Sequence, residues 1–220
     1  MPSKAAQRRL IPPLDLPPRP RVKQARSELS TSRLLDAAAE VIAAGGYHRM
    51  TLKVIGERAG YSYGLVTERF GSKEGLLWTL VDSMLHDEDG GLVIPALGAS
   101  TGVPALHRFV AAIREGWRRR PVHMRALSVL MFEAALPSPI LQDAIACLHR
   151  EMRAVTEAVV RAGIVEGSVP AEVDAAQISR TLLGSLRGVV FQAMLDPDHF
   201  SLEQGFDDLD HLVVLLLTNN

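Results

Sequence analysis

Two hundred and twenty residues, 47% of them hydrophobic, supply side chains for a sizeable core and exclude a chain disordered throughout. The net charge of −1 conceals a split. Residues 1–75 hold thirteen Lys/Arg against seven Asp/Glu and residues 76–220 eleven against eighteen, the asymmetry expected when one end meets phosphate.

In chain order, residues 1–26 read as a basic, proline-rich, disordered arm. Pro12, Pro13, Pro17, Pro18 and Pro20 forbid helix, while Lys4, Arg8, Arg9, Arg19, Arg21, Lys23 and Arg26 face only Asp15. Such an arm suits a phosphate or minor-groove contact, or serves only as a solubilising extension. A helix from about Ser30 to Ala44 follows, with Leu34, Leu35, Ala38, Val41 and Ile42 on one stripe and Gly45-Gly46 as its stop. The stretch TLKVIGERAGYSYGLVTERFGSK from Thr51 to Lys73 then reads as a helix-turn-helix and the start of another helix. Thr51 caps a helix carrying Leu52, Ile55 and Ala59, and Gly60 stops it. Ser62 caps the second helix, with Val66 and Phe70 on its inner face. Gly56 suits the close crossing such a pair needs. Tyr63, Gly64, Thr67 and Glu68 face outward, with Leu65 and Arg69 at the flanks. Tyr63 can hydrogen-bond a base edge or a phosphate, Leu65 and Thr67 can meet a thymine methyl, and Gly64 lets the backbone approach the groove. Lys73 opens the next helix, where a cation is disfavoured by the macrodipole and therefore suggests a phosphate partner.

The run from LLDAAAEVIAAGGYHRMTLKVIGERAGYS to RFGSKEGLLWTLV resembles the N-terminal domain of the tetracycline-repressor (TetR) family of transcriptional regulators, over roughly residues 30–85. The resemblance implies an all-α fold: an N-terminal three-helix DNA-binding domain over 27–73 and a helical bundle for ligand binding and dimerisation over 74–220. It implies further that Lys53 reaches a base or phosphate, that Thr51 and Lys73 hold phosphates, and that Arg69 stands where the family often has a phosphate-binding histidine. The DNA-reading set is then Thr51, Lys53, Ser62, Tyr63, Gly64, Leu65, Thr67, Arg69 and Lys73. Thr67 and Glu68 stand where the family often has aromatics, so an operator sequence does not transfer. The partner implied is a palindromic double-stranded operator bound by a homodimer, released when a small effector in the body shifts the helix from Ser72 to about His86.

Beyond a loop at 90–104, helices are expected at about 104–119, 121–135, 138–166, 172–195 and 201–217. Leu141, Ile145, Leu148, Met152, Val155 and Val159 make a long apolar seam ended by Gly163, Gly167 and Pro170. The run LLGSLRGVVFQAMLDPD resembles the penultimate helix of the family, which helps form a four-helix dimer interface; Gly184 and Gly188, four apart, suit that seam or simple intrachain packing. Met84, Trp117, Met124, Leu127, Met131, Phe132, Met152 and Phe191 are the residues expected to line a pocket for an apolar ligand, with His86, His123 or Arg187 as polar anchors.

Enzyme readings fare poorly: there is no glycine-rich phosphate loop, no His-Glu-x-x-His and no cysteine pair, and neither cofactor nor metal is expected. The His86–Asp89 cluster reads as a solvated helix end. The lone Cys147 reads as a small buried hydrophobe, and its solitude suits a reducing cytoplasm. No apolar run approaches the roughly 20 residues that span a bilayer, and no signal peptide is evident, so the protein is expected to be cytoplasmic. The rival reading is a helical bundle that binds a small molecule or protein without DNA. Such a bundle needs neither the charge split nor Lys53 and Lys73.

Overall fold

The computed structural model describes residues 25–86 and 100–218 and contains, among them, nine α-helices and no strand. Residues 1–24 of the expected arm and the side chains of the 86–89 cluster lie outside the described residues, while Ala25 and Arg26, expected in the arm, open the first helix, which starts five residues before the expected Ser30. Three helices make the head, α1 (Ala25–Gly45), α2 (Leu52–Ala59) and α3 (Tyr63–Phe70), with a short 3-10 turn at Tyr47–Arg49, and α4 (Lys73–His86) leads from it into the body. The body holds α5 (Gly102–Arg119), α6 (Pro121–Glu133), α7 (Pro139–Val165), α8 (Ala175–Leu195) and α9 (Leu202–Thr218).

The head follows from local chemistry. Thr51 Oγ1 accepts the Val54 N–H at 3.2 Å, and Ser62 Oγ accepts the Leu65 N–H at 3.2 Å, so both short helices begin on hydroxyl caps. Gly60 ends α2 in the left-handed region at φ 75°, which a side chain would strain, and the Tyr61 N–H closes back onto the Gly56 carbonyl at 2.8 Å. Gly56 is where the two helices cross: a Cβ there would lie 2.9 Å from the Tyr61 carbonyl oxygen and 3.2 Å from Val66 Cγ2. Leu52, Ile55, Val66 and Phe70 are buried beneath, in the same core as Leu34, Ala38 and Ile42 of α1.

In the body, α5 packs on α7, α7 on α8, α8 on α9 and α9 on α5, closing a four-helix ring. The seam predicted on α7 is buried throughout. Gly163, expected to help end that helix, instead lies inside it. A Cβ there would sit 2.8 Å from Gly102 Cα, so glycine permits the start of α5 to cross the end of α7. Helix α5 also begins two residues before Pro104, which falls in its first turn, where proline's missing N–H costs nothing. Arg114 and Arg118 of α5 reach Asp207 and Glu203 of α9 at 2.7 and 2.8 Å along the outer side of the ring.

Head and body meet across α6. Helix α1 packs on α6 more extensively than on any other helix, and α4 packs on α7. The Tyr47 N–H donates to Glu133 Oε2 at 2.7 Å, tying the turn before the helix-turn-helix to the last residue of α6.

Candidate nucleic-acid interface and effector cavity

Helix α3 presents Tyr63, Gly64 and Glu68 outward, Tyr63 with 58% of its surface exposed, while Val66 and Phe70 hold the helix down from beneath. Thr51 and Ser62 are exposed at the two caps, so each hydroxyl both starts a helix and faces solvent. Lys53 is exposed on α2 and loosely paired with Glu57 one turn on, at 3.9 Å. Leu65 and Thr67 are only half-exposed, and the Thr67 hydroxyl is buried without a hydrogen-bond partner among the described residues.

Arg69 departs from the expectation. It turns toward α1, donating to Thr31 Oγ1 at 2.6 Å and Ser30 Oγ at 2.9 Å, so it braces α3 against the first helix. Two hydroxyls within reach compete successfully with solvent for a guanidinium that needs several acceptors. Lys73 Nζ lies 3.9 Å from the centre of the Tyr47 ring. Burial lowers its pKa from the ordinary lysine value, while Glu74 and Glu133 pull it back up. A cation parked on an aromatic face is oriented without being neutralised.

Seven of the eight residues expected around a ligand come together. Met84 of α4, Trp117 of α5, Met124, Leu127, Met131 and Phe132 of α6 and Met152 of α7 line one apolar cavity. The eighth, Phe191, does not line it: half-exposed on α8, it packs edge-on against Phe132, with ring centres 5.0 Å apart. Packing also recruits Ile113, Ser128, Leu148, Leu183, Leu186, Arg187 and Val190. Of the three suggested anchors, only Arg187 is in the lining. His123 lies instead on the outer seam, Nε2 3.1 Å from Asp36 Oδ1 of α1, and its pKa is lowered chiefly by burial. The His86 side chain lies outside the described residues. The cavity measures about 60 Å³, far below the roughly 300 Å³ at which ligand pockets begin, so a ligand enters only if the lining gives way. Four of the chain's seven methionines line it, and unbranched thioethers repack at low cost.

On α8 and α9, Phe191, Leu195, Val214 and Leu215 are exposed, and a Cβ on Gly184 or Gly188 would meet nothing within 4 Å. Intrachain packing among the described residues therefore does not account for those two glycines. Cys147 is half-buried against the core. Among the described residues no group of three His, Cys, Asp or Glu is arranged to hold a metal, and no helix is long and apolar enough to cross a membrane.

The family profile described as "Bacterial regulatory proteins, tetR family" matches residues 34–78, and that described as "BetI-type transcriptional repressor, C-terminal" matches residues 102–218. No curated protein matches the chain. Among solved structures, a TetR transcriptional regulator from Chloroflexus aurantiacus is 21% identical with a TM-score of 0.71, over 87% of this chain and 97% of that one. SmeT, the repressor of the Stenotrophomonas maltophilia multidrug efflux pump SmeDEF, is 20% identical with a TM-score of 0.67, over 85% and 89%. The complex of SmeT with triclosan gives 19% and 0.70, over 84% and 90%. At these identities the likeness to each structure is one of fold.

Proposed function

The chain belongs to the TetR family, DNA-binding transcriptional regulators with a ligand-binding C-terminal domain, and from that premise we propose a cytoplasmic homodimeric repressor that leaves a palindromic operator when a small, largely apolar effector enters the body cavity. The observation that carries this reading is the placement of α4. Its first residue, Lys73, lies beside the reading helix and its twelfth, Met84, lines the cavity, so about 16 Å of one helix joins the head to the cavity.

In this reading residues 1–26 are an arm, 27–73 the DNA-binding domain and 74–220 the effector and dimer domain. Tyr63 reads a base edge, Gly64 and Leu65 let α3 approach the groove, and Thr51, Lys53, Ser62 and Lys73 fix its register on phosphates. Arg69, turned to α1, contributes by holding α3 in place. The exposed apolar face of α8 and α9, with Gly184 and Gly188, is the dimer seam, which supports two heads on half-sites about one helical turn apart.

Effector entry widens the cavity, and two of its walls lead to the head. One is α4 itself. The other is the end of α6, where Met131 and Phe132 line the cavity and Glu133 holds the Tyr47 N–H, Tyr47 in turn lying under Lys73. An effector releases DNA only by binding the widened state better than the DNA-bound one. SmeT, of the same fold, is seen with triclosan, which supports an apolar effector here.

The test is selection from random duplex DNA, followed by salt titration of the winner. An enriched palindrome with a steep salt dependence is expected. On that operator Tyr63→Ala should change sequence preference, while Lys73→Ala should weaken every sequence alike, about tenfold. Absence of enrichment would favour the rival reading, a ligand-binding helical bundle.

A further inference from the structure

Helix α8 faces the cavity with Leu183, Leu186, Arg187 and Val190, a stripe at i, i+3, i+4 and i+7 in which all but Arg187 are aliphatic. Arg187 is the one charged residue among the described lining residues. It is half-buried, and among the described residues no carboxylate pairs with it; the charge that acts on it is another cation, Arg153 of α7. A guanidinium on an apolar wall carries an uncompensated desolvation cost that a matching anion removes.

Two other polar side chains, Trp117 and Ser128, stand in the lining, and His149 lies beside it. The indole N–H of Trp117 is buried and has no acceptor among the described residues. The Ser128 hydroxyl is committed to the Met124 carbonyl at 2.8 Å. Close to Arg187, the His149 imidazole is held down to about 4 by burial and by the fields of Arg187 and Arg153, so it is neutral at pH 7 and no acid stabilises its charged form. Among the described residues the lining thus offers the Arg187 and Trp117 donors and positive potential inside an apolar, methionine-rich wall, with the Ser128 oxygen as the one neutral acceptor of its side-chain oxygens and nitrogens.

We propose that the effector is an amphipathic monoanion, its apolar body among the cavity methionines and its acid group on the Arg187 guanidinium. This rests on the effector reading above and narrows it from an apolar ligand to an acid with an apolar tail or ring. A carboxylate accepts two parallel N–H bonds from one guanidinium, and a neutral alcohol of the same length cannot.

The experiment compares n-decanoate, n-decanol and n-decylammonium, below micelle-forming concentrations, against the full chain at pH 7.5, with tryptophan fluorescence as the readout and a Trp78→Phe chain to isolate the signal of Trp117. Decanoate is expected to bind at least about tenfold more tightly than decanol, the gain of one charge-assisted pair. Arg187→Met should cost decanoate about tenfold or more and leave decanol within about twofold. Arg187→Lys, which keeps the charge, should restore part of the preference and shows that the loss is not one of folding. Equal affinity for decanoate and decanol in the unaltered chain overturns the proposal, as does tighter binding of decylammonium. So does a preference for anions that survives in a folded Arg187→Met variant. An enriched operator without any anion preference would sink the anion alone and leave the repressor standing; failure to enrich an operator would sink the repressor.

Discussion

The head and the body each hold one conspicuous cation, and the two are kept in opposite ways. Lys73 in the head rests on the Tyr47 ring with Glu74 and Glu133 close enough to raise its pKa against burial. Arg187 in the body has an apolar wall, and the one charge acting on it, that of Arg153, is positive. The first arrangement holds a charge oriented and ready at an edge where solvent or phosphate complete its shell. The second leaves a charge whose stabilisation must come from something that enters. The same split governs structure: the head is built from caps and a tight turn within about twenty residues, and the cavity from side chains spread over more than a hundred.

That contrast breaks most visibly at Gly56. A valine there would force its side chain into the Tyr61 carbonyl and Val66, at a cost of about 3 kcal/mol, as overpacking does where backbone blocks the way. If head and body are separable, Gly56→Val loses operator binding altogether while decanoate still perturbs Trp117 as it does in the unaltered chain. Loss of both signals together would show that the two regions fold as one unit and that their contrast is only one of surface chemistry.

The difference between the regions also explains what could be read from the chain alone. Thr51, Gly60 and Ser62 announce the helix-turn-helix because a cap and a left-handed turn depend on neighbours within five residues. The buried set of Leu52, Ile55, Val66 and Phe70 follows from the same short register. The direction of Arg69 depends on Ser30 and Thr31, nearly forty positions away, and spacing along α3 cannot show which of two faces offers acceptors. The cavity was legible in part, since methionines and aromatics at inward positions mark a pliable apolar wall. Its aliphatic side, Leu148, Leu183 and Leu186, has no signature that separates cavity lining from ordinary core. Glu133 carried no signal at all, because its partner is a backbone N–H eighty-six positions back.

Glu133 is where the comparison sharpens, as it joins the two regions. Its carboxylate fills the space beneath Gly46 and accepts the Tyr47 N–H. Glu133→Ala leaves that donor without its partner in a half-buried site, a loss of about 2 kcal/mol. Thermal melting should show it, and hydrogen exchange should place it at the Tyr47 amide. Glu133→Gln keeps an acceptor and should retain most of the stability. Unchanged exchange at Tyr47 in Glu133→Ala would mean that the end of α6 does not hold the head, and that α4 alone links effector to DNA.

The smallest effect belongs to the body and is one of pH. The folded chain holds the His149 pKa near 4, against about 6.5 when unfolded, so between those values the unfolded chain binds more protons. Stability therefore falls as pH drops from about 6.5 toward 4. His149 is not wholly buried, and solvent screening reduces its share to about 1 kcal/mol at pH 5. Carboxylates and His123 also titrate on the way down, so the quantity to measure is the difference in urea unfolding between the unaltered chain and His149→Leu, at pH 7 and again at pH 5. The gap should shift toward the variant by about 1 kcal/mol on acidification. Decanoate seated on Arg187 supplies a negative charge beside His149, makes protonation less costly and should shrink that shift. A shift that decanoate leaves untouched would place the anion away from α8, and the contrast between a completed cation in the head and an uncompleted one in the body would lose its functional meaning.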